Sequence, residues 1–163
     1  MPALDGIRIL DMTQYEAGPS CTQSMAWMGA DVVKIEPPTG DPARLFQKML
    51  GGDLPTNPVF ELDNRSKRSI ALDLGSDDGL GVALDLLAGA DVFVTNLRMG
   101  ALERLGLDAE AVCERFPRLV YCHLTGYGRE GDDADRAAYD VAAFWSRSGI
   151  AHLLTEPGGN PPF

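Results

Sequence analysis

Cysteine, histidine and basic residues are all scarce in this chain. Its 163 residues include three cysteines and two histidines, and 14 Lys and Arg stand against 24 Asp and Glu. Cys21, Cys113 and Cys122 are odd in number and have neither CxxC nor metal-ligand spacing, so no disulfide framework and no cysteine metal site is expected. The expectation is free thiols, mostly buried, in a reducing compartment. A formal net charge of −10 argues against nucleic acid or an anionic membrane as partner. It leaves room for a small anionic ligand, which needs only a local cluster of donors. No apolar run reaches the roughly 18 residues of a membrane span. The start, Met1-Pro2-Ala3-Leu4-Asp5, lacks the basic and apolar regions of a signal peptide. The expected location is therefore the cytoplasm.

Common catalytic signatures are missing as well. There is no GxxxxGK[ST] phosphate loop, no HExxH or other histidine pair, and no Gly-x-Ser-x-Gly elbow. A dinucleotide fingerprint should follow the first strand, yet the residues there are Thr13-Gln14-Tyr15-Glu16-Ala17-Gly18-Pro19. The nearest match, Gly79-Leu80-Gly81, lies in a helical pattern without a third glycine, behind Asp77 and Asp78. Those carboxylates would repel a pyrophosphate at the helix start. Neither a nicotinamide cofactor nor a metal is expected, and His123 and His152 read as structural.

What is present is an ordinary globular composition, 45% apolar and 23% charged. A chain of this length buries roughly two-thirds of its unfolded surface. Short runs rich in Val, Ile and Leu predict strands at 7–12, 31–36, 69–74, 91–95 and 119–124. Helical patterns lie between them. Cys21, Met25 and Met28 predict a buried stripe on a helix over 20–28. Leu80, Ala83, Leu84 and Leu87 predict another over 76–88, with Ser76 as N-cap and Gly89 as stop. Asp108 caps a third, carrying Val112 and Phe116. A last helix is expected over about 135–148, with Tyr139, Ala142, Ala143 and Trp145 facing inward. Residues 37–58 read as a long Pro- and Gly-rich excursion with one short helix near 43–50.

Strand–helix alternation implies an α/β fold, a Rossmann-like doubly wound, mainly parallel sheet. The expected organisation is one such domain over 1–155 and a Pro/Gly-rich tail over 156–163. Ligands of these sheets sit beyond the carboxyl ends of the strands, which directs attention to 13–19, 96–100 and 125–131. Arg65, Lys67 and Arg68 form a basic cluster before the third strand, and Arg98 and Arg104 flank the loop and helix after the fourth. A solvated face and a phosphate-capturing group both fit this pattern. Glu130, Asp132, Asp133 and Asp135 read as a solvated acidic loop. Asp140 is either a carboxylate poised by partial burial or a charge at a helix start.

Eight segments in order resemble one family. They are Leu4–Asp11 with Ala17-Gly18-Pro19, Gly29–Glu36, Gly40–Arg44, Asn64–Leu74, Ala90-Asp91-Val92 with Asn96–Gly100, Arg104–Leu107, Pro117–Tyr121 and Thr125–Gly128. Together they resemble the opening of the family III CoA-transferases, the group of formyl-CoA transferase, carnitine CoA-transferases and α-methylacyl-CoA racemases. The resemblance covers essentially the whole chain. It implies a Rossmann-like large domain, a smaller second domain absent here, and a homodimer of interlocked rings. It further implies acyl-CoA and a carboxylic acid as substrates, with no permanently bound cofactor.

Carried over by position, the resemblance assigns CoA contacts to Tyr15, Glu16, Ala17, Leu72, Asn96, Leu97, Arg98, Ala101, Arg104, Leu105 and Tyr139. Glu16 stands where formyl-CoA transferase has an uncharged amide, and Leu97 and Met99 replace the commoner Phe and Pro. Tyr139 stands where the racemases usually carry His. With an unperturbed pKa near 10, tyrosine is a poorer base at neutral pH, which favours transferase over racemase. The family's nucleophilic aspartate follows a Pro-Pro segment matched by Pro161-Pro162, so no catalytic residue is assigned within this chain. The expectation is a CoA-binding N-terminal part that does not turn over alone. The alternatives are a non-catalytic remnant that binds CoA or a partner, and an epimerase fragment.

Overall fold

Five short strands, each followed by a helix or turn, line up in parallel in the computed structural model, which describes residues 1–46 and 57–160. They are β1 (Arg8–Met12), β2 (Asp31–Glu36), β3 (Arg68–Ala71), β4 (Val92–Thr95) and β5 (Val120–His123), in the order β3-β2-β1-β4-β5. Every pair is parallel: Ile9 faces Val32 and Val92, Ile35 faces Ile70, and Phe93 faces Tyr121. The chain steps outward from β1 through β2 to β3, then crosses back to the other side of β1 for β4 and β5. The strand order therefore reverses between β1 and β4, the switch point of a doubly wound sheet. Four of the five strands fall within one residue of the boundaries expected from the sequence, and β3 ends three residues early, at Ala71 rather than 74.

The described residues divide into two compact units: 1–97 with 101–124, and 98–100 with 125–160. The sheet belongs to the first. Period-two alternation sends its apolar residues to both faces. Leu10, Met12, Ile35 and Phe93 form one core with Ala83, Leu87, Leu102, Leu107 and Val112. Ile9, Val32 and Val94 form the other with Ala30, Met25 and Ala26. The first core is covered by three helices: α3 (Asp77–Ala88), α4 (Met99–Leu105) and α5 (Ala109–Arg115). Ser76 Oγ accepts from Gly79 N at 3.1 Å, and Asp108 Oδ1 accepts from Glu110 N and Ala111 N, both at 3.1 Å. Both caps stand where the sequence puts them.

The second core is covered by α1 (Ala17–Trp27), which differs from expectation. It begins three residues early, with Pro19 inside its first turn, where a missing N–H costs nothing. Its buried residues are Gly18, Pro19, Thr22 and Gln23, while Cys21 and Met28 are exposed. Of the predicted stripe of Cys21, Met25 and Met28, only Met25 packs on the core, beside the buried polar pair Thr22 and Gln23, for a reason given below. Cys113 is exposed too and Cys122 half-buried, so the thiols are free but not mostly buried. A helix the sequence reading passed over, α2 (Pro58–Asn64), starts with Asn57 Oδ1 accepting from Phe60 N at 3.2 Å and Pro58 at its first position. The expected helix near 43–50 begins as a single 3₁₀ turn at Pro42–Leu45, and 47–50 lie outside the described residues.

The second unit lacks the expected helix over 135–148. A π-helical turn spans Val141–Ser146 and buries none of its residues, and α6 (Ile150–Leu154) follows. Tyr139 and Ala142 are exposed, whereas Ala143 and Trp145 are half-buried. Asp133 and Asp135 occupy the residues meant for the helix start: Asp135 accepts from Gly100 N at 3.0 Å, and Asp133 accepts from Arg136 and Arg147. Gly126 packs so tightly that a Cβ there would lie 2.0 Å from Ala138 Cβ.

Phe93 is fully buried at the centre of the first core and meets Tyr121 edge-on at 5.3 Å. Phe93→Ala is expected to cost about 3–5 kcal/mol of unfolding free energy in denaturant titration. A loss under about 1 kcal/mol would mean the core is not organised around this ring.

Candidate functional site

The carboxyl ends of β1, β2 and β4 converge on the loop Thr13–Gly18, and this loop is built by buried charge. Asp11, next to last in β1, is completely buried. Its Oδ1 accepts from Thr13 N at 3.0 Å and from the Thr13 hydroxyl. Its Oδ2 accepts from Thr22 Oγ1 at 2.6 Å and from Lys67 Nζ at 2.9 Å. A buried carboxylate must be paired and hydrogen-bonded, which is why α1 turns Thr22 toward the end of β1. Lys67 spends its other donors on Pro19 O at 2.8 Å and Asn64 Oδ1 at 2.9 Å. Burial pulls its pKa below the usual lysine value, and Asp11 opposes that pull.

A second cluster lies beside the first. Lys34, 1% exposed in the middle of β2, donates to Thr13 O at 2.6 Å and pairs with Asp41 Oδ2 at 2.9 Å. Asp41 Oδ1 accepts from Ala43 N at 2.8 Å and from Tyr15 N at 3.3 Å. Glu36 takes a fork from Arg44, Nε to Oε2 at 2.7 Å and Nη2 to Oε1 at 2.8 Å, together with Ser69 Oγ at 2.6 Å. Burial pushes the Glu36 carboxyl up, but Arg44, Ser69 and the Asp41 amide outweigh it and hold it at about 2. A third tie crosses the switch point: Gln14 N donates to Asn96 Oδ1 and Asn96 Nδ2 donates to Gln14 O, both at 2.8 Å.

These ties place several expected residues together in the first unit. A cavity of about 160 Å³ opens between Met12, Gln14, Ile35, Pro37, Leu72 and Leu97. Leu72, Leu97 and Leu105 all pack half-buried against the first core. Tyr15 is half-buried, its ring edge-on to Phe46 at 6.4 Å, and its φ of 66° lies in the left-handed region. Glu16 and Ala17 are exposed at the start of α1, where no side chain caps the helix. Gly18 is required there, because a Cβ would come 2.4 Å from Thr13 Cβ. Ala101 is half-buried on α4, and Arg104 is exposed on the same helix without an ion pair among the described residues. Arg98 and Tyr139 belong to the second unit, where both are exposed.

The basic cluster before β3 does not act as one group. The Lys67 side chain is 2% exposed and fully engaged, so it cannot capture a phosphate. Arg68 pairs with Asp31 at 2.7 Å at the amino ends of β3 and β2, away from the crevice. Arg65 lies over the Trp27 ring at 5.3 Å. Asp63, 6% exposed, is pushed up by burial and then by Glu16, with Lys67 opposing. Asp140 is exposed and makes no cap bond. No group of His, Cys, Asp and Glu able to hold a metal occurs among the described residues. None of their helices is long and apolar enough to cross a membrane. Sequence reasoning missed Gln14, Lys34 and Asp41. A lysine within the apolar run Asp31–Glu36 was the available signal, since strands of a parallel sheet are buried on both faces.

The model of CoA-transferase family III matches residues 4–163. The chain is 38% identical over 159 residues to cinnamoyl-CoA:phenyllactate CoA-transferase of Clostridium sporogenes, covering 96% of this chain and 39% of that protein. It is 42% identical over 143 residues to formyl-CoA:oxalate CoA-transferase of Streptomyces avermitilis, covering 86% and 34%. Among solved structures, a CAIB/BAIF family protein from Brucella suis superimposes with a TM-score of 0.88 at 35% identity, over 99% of this chain and 43% of that one. The sheet with its switch-point loop is therefore that of a family III CoA-transferase, and the chain belongs to this family. It spans about two-fifths of the length of the relatives it matches.

The buried Glu36 carries a pH dependence. Its folded pKa, about 2, lies below the 4.5 of an unperturbed glutamate, so its contribution is complete above that value and is lost as pH falls toward 2. Unfolding free energy should drop over this window, by about one to two orders of magnitude in the folding constant given the half-exposed Arg44. Glu36→Gln should flatten that part of the profile in chemical denaturation. An unchanged profile would assign the acid sensitivity elsewhere.

Proposed function

We propose that this chain is the CoA-binding N-terminal part of an acyl-CoA:carboxylate CoA-transferase. One observation supports this above the rest: in a family III chain, Tyr15, Leu72, Asn96 and Leu97 follow the carboxyl ends of β1, β3 and β4, and Leu72 and Leu97 line an open cavity there. Leu72 and Leu97 offer an apolar wall, and Arg104 offers a forked donor free for a phosphate. The uncapped start of α1 presents backbone N–H groups beside Glu16. That carboxylate repels phosphate, so the phosphates belong at Arg104 and the acyl end of the ligand near Glu16.

The substrates in this reading are an acyl-CoA and a carboxylic acid, with no resident cofactor, and the working form is a cytoplasmic homodimer. The family resemblance also assigns Arg98 and Tyr139 to CoA. No residue of the chain is assigned as nucleophile, so the isolated chain binds CoA without transferase turnover. Tyrosine at position 139 supports transfer over epimerisation, because its phenol is a weak base at neutral pH.

Calorimetric titration with CoA, with NAD in parallel, checks this reading. Heat is expected with CoA alone, and Arg104→Ala should weaken binding about tenfold. Heat with NAD and none with CoA would overturn the proposal. Acyl transfer by the purified chain would overturn the assignment of no nucleophile.

A further inference from the structure

The segment Thr13–Pro19, a loop that runs into the first turn of α1, is held at each end by a buried lysine. Lys34 Nζ donates to Thr13 O at 2.6 Å, and Lys67 Nζ donates to Pro19 O at 2.8 Å. The two side chains are 1% and 2% exposed, so neither can touch a ligand in the crevice. The counter-ions hold the same loop by its donors. Asp11 accepts from Thr13 N at 3.0 Å and Asp41 from Tyr15 N at 3.3 Å. Between these anchors Tyr15 is kept at a φ of 66°, a conformation that a non-glycine residue adopts only when its surroundings over-determine it. A purely structural ion pair has no need of loop carbonyls. Here each lysine is ion-paired with its carboxylate and also donates to a backbone carbonyl, Thr13 O or Pro19 O.

We propose that Lys34 and Lys67 are positioning residues that fix the loop Thr13–Pro19 in its binding conformation before ligand arrives, and so set the affinity for CoA without contacting it. This rests on the CoA reading above. A loop ordered in advance does not lose that freedom on binding, and the saving appears as affinity. Apolar residues in place of the two ion pairs would fill the same space, but would take from Thr13 O its lysine donor and leave Pro19 O only the Thr22 hydroxyl.

Two double variants test this, K34M/D41N and K67M/D11N. Each removes a pair of opposite charges together, so no lone charge stays buried. Asparagine keeps an oxygen for Tyr15 N or Thr13 N. Both variants are expected to unfold cooperatively and to bind CoA at least about tenfold more weakly by calorimetry. Amide exchange at Gln14–Ala17 should accelerate about tenfold or more while the strand amides keep their protection. Variants that fold and bind CoA like the wild type overturn the proposal.

Should either variant fail to fold, exchange in the ligand-free wild type decides. The Tyr15 amide must be protected, and exchange at the rate of an unstructured peptide overturns the proposal. A wild-type chain that gives no heat with CoA ends the CoA reading instead, and loop protection then settles the positioning claim separately.

Discussion

A single carboxylate without contact with water, Asp11, is the constraint around which the first unit is arranged. It stands where β1 ends, and its two oxygens tie together the strand end, α1 through Thr22, and the approach to β3 through Lys67. Taking a carboxylate and an ammonium out of water costs several kcal/mol per ion, recovered only with good geometry and full hydrogen bonding. That requirement reaches into elements far apart in sequence. It explains the polar buried face of α1, and the saturated acceptors around Lys67 come from α1 and α2 as well as β1.

The sheet is consequently layered along its strands. Apolar side chains fill both faces toward the middle, and a band of paired charge closes the carboxyl ends. Glu36 with Arg44, Asp41 with Lys34 and Asp11 with Lys67 lie in this band. Buried ion pairs add little net stability compared with apolar residues of similar size. What they supply is direction: each ammonium and carboxylate points a donor or acceptor at a defined backbone atom. The crevice borrows its shape from that band, which is how a short, irregular loop acquires a reproducible form beside a rigid sheet.

The strands were legible because local pattern and tertiary role agree. Val, Ile and Leu between Gly, Asn and Asp is what a parallel strand needs, and β1 to β5 appear where that pattern falls. Ser76 and Asp108 were legible for the same reason, since a cap is a local event. The face of α1 was not, because apolar periodicity around Cys21, Met25 and Met28 competes with a hydrogen bond from Thr22 to a residue eleven positions away. The expected helix over 135–148 failed where Asp133 and Asp135 accept from Arg136, Arg147 and the Gly100 amide. Of the site, Leu72, Leu97 and the 15–17 loop came from the family resemblance. Lys34 stood out only as a lysine in an apolar strand, and its pairing with Asp41 needed the tertiary fold, because nothing in their spacing announces that they hold Thr13 and Tyr15.

The strand order also bears on how the chain is made. β1 is made before the other four strands of this chain and stands in the middle of the sheet they form. Its partner β2 follows closely, but its other neighbour, β4, begins at Val92, and Asp91 N donates to Arg8 O at 2.8 Å across that gap. At ~5–20 residues per second, several seconds of synthesis separate the appearance of β1 from the appearance of β4. Throughout that interval the hydrogen-bonding edge of the central strand, with Ile9 and Leu10, has no native partner. A nascent chain of this topology therefore leaves an unpaired strand edge open for longer than a meander of the same size would.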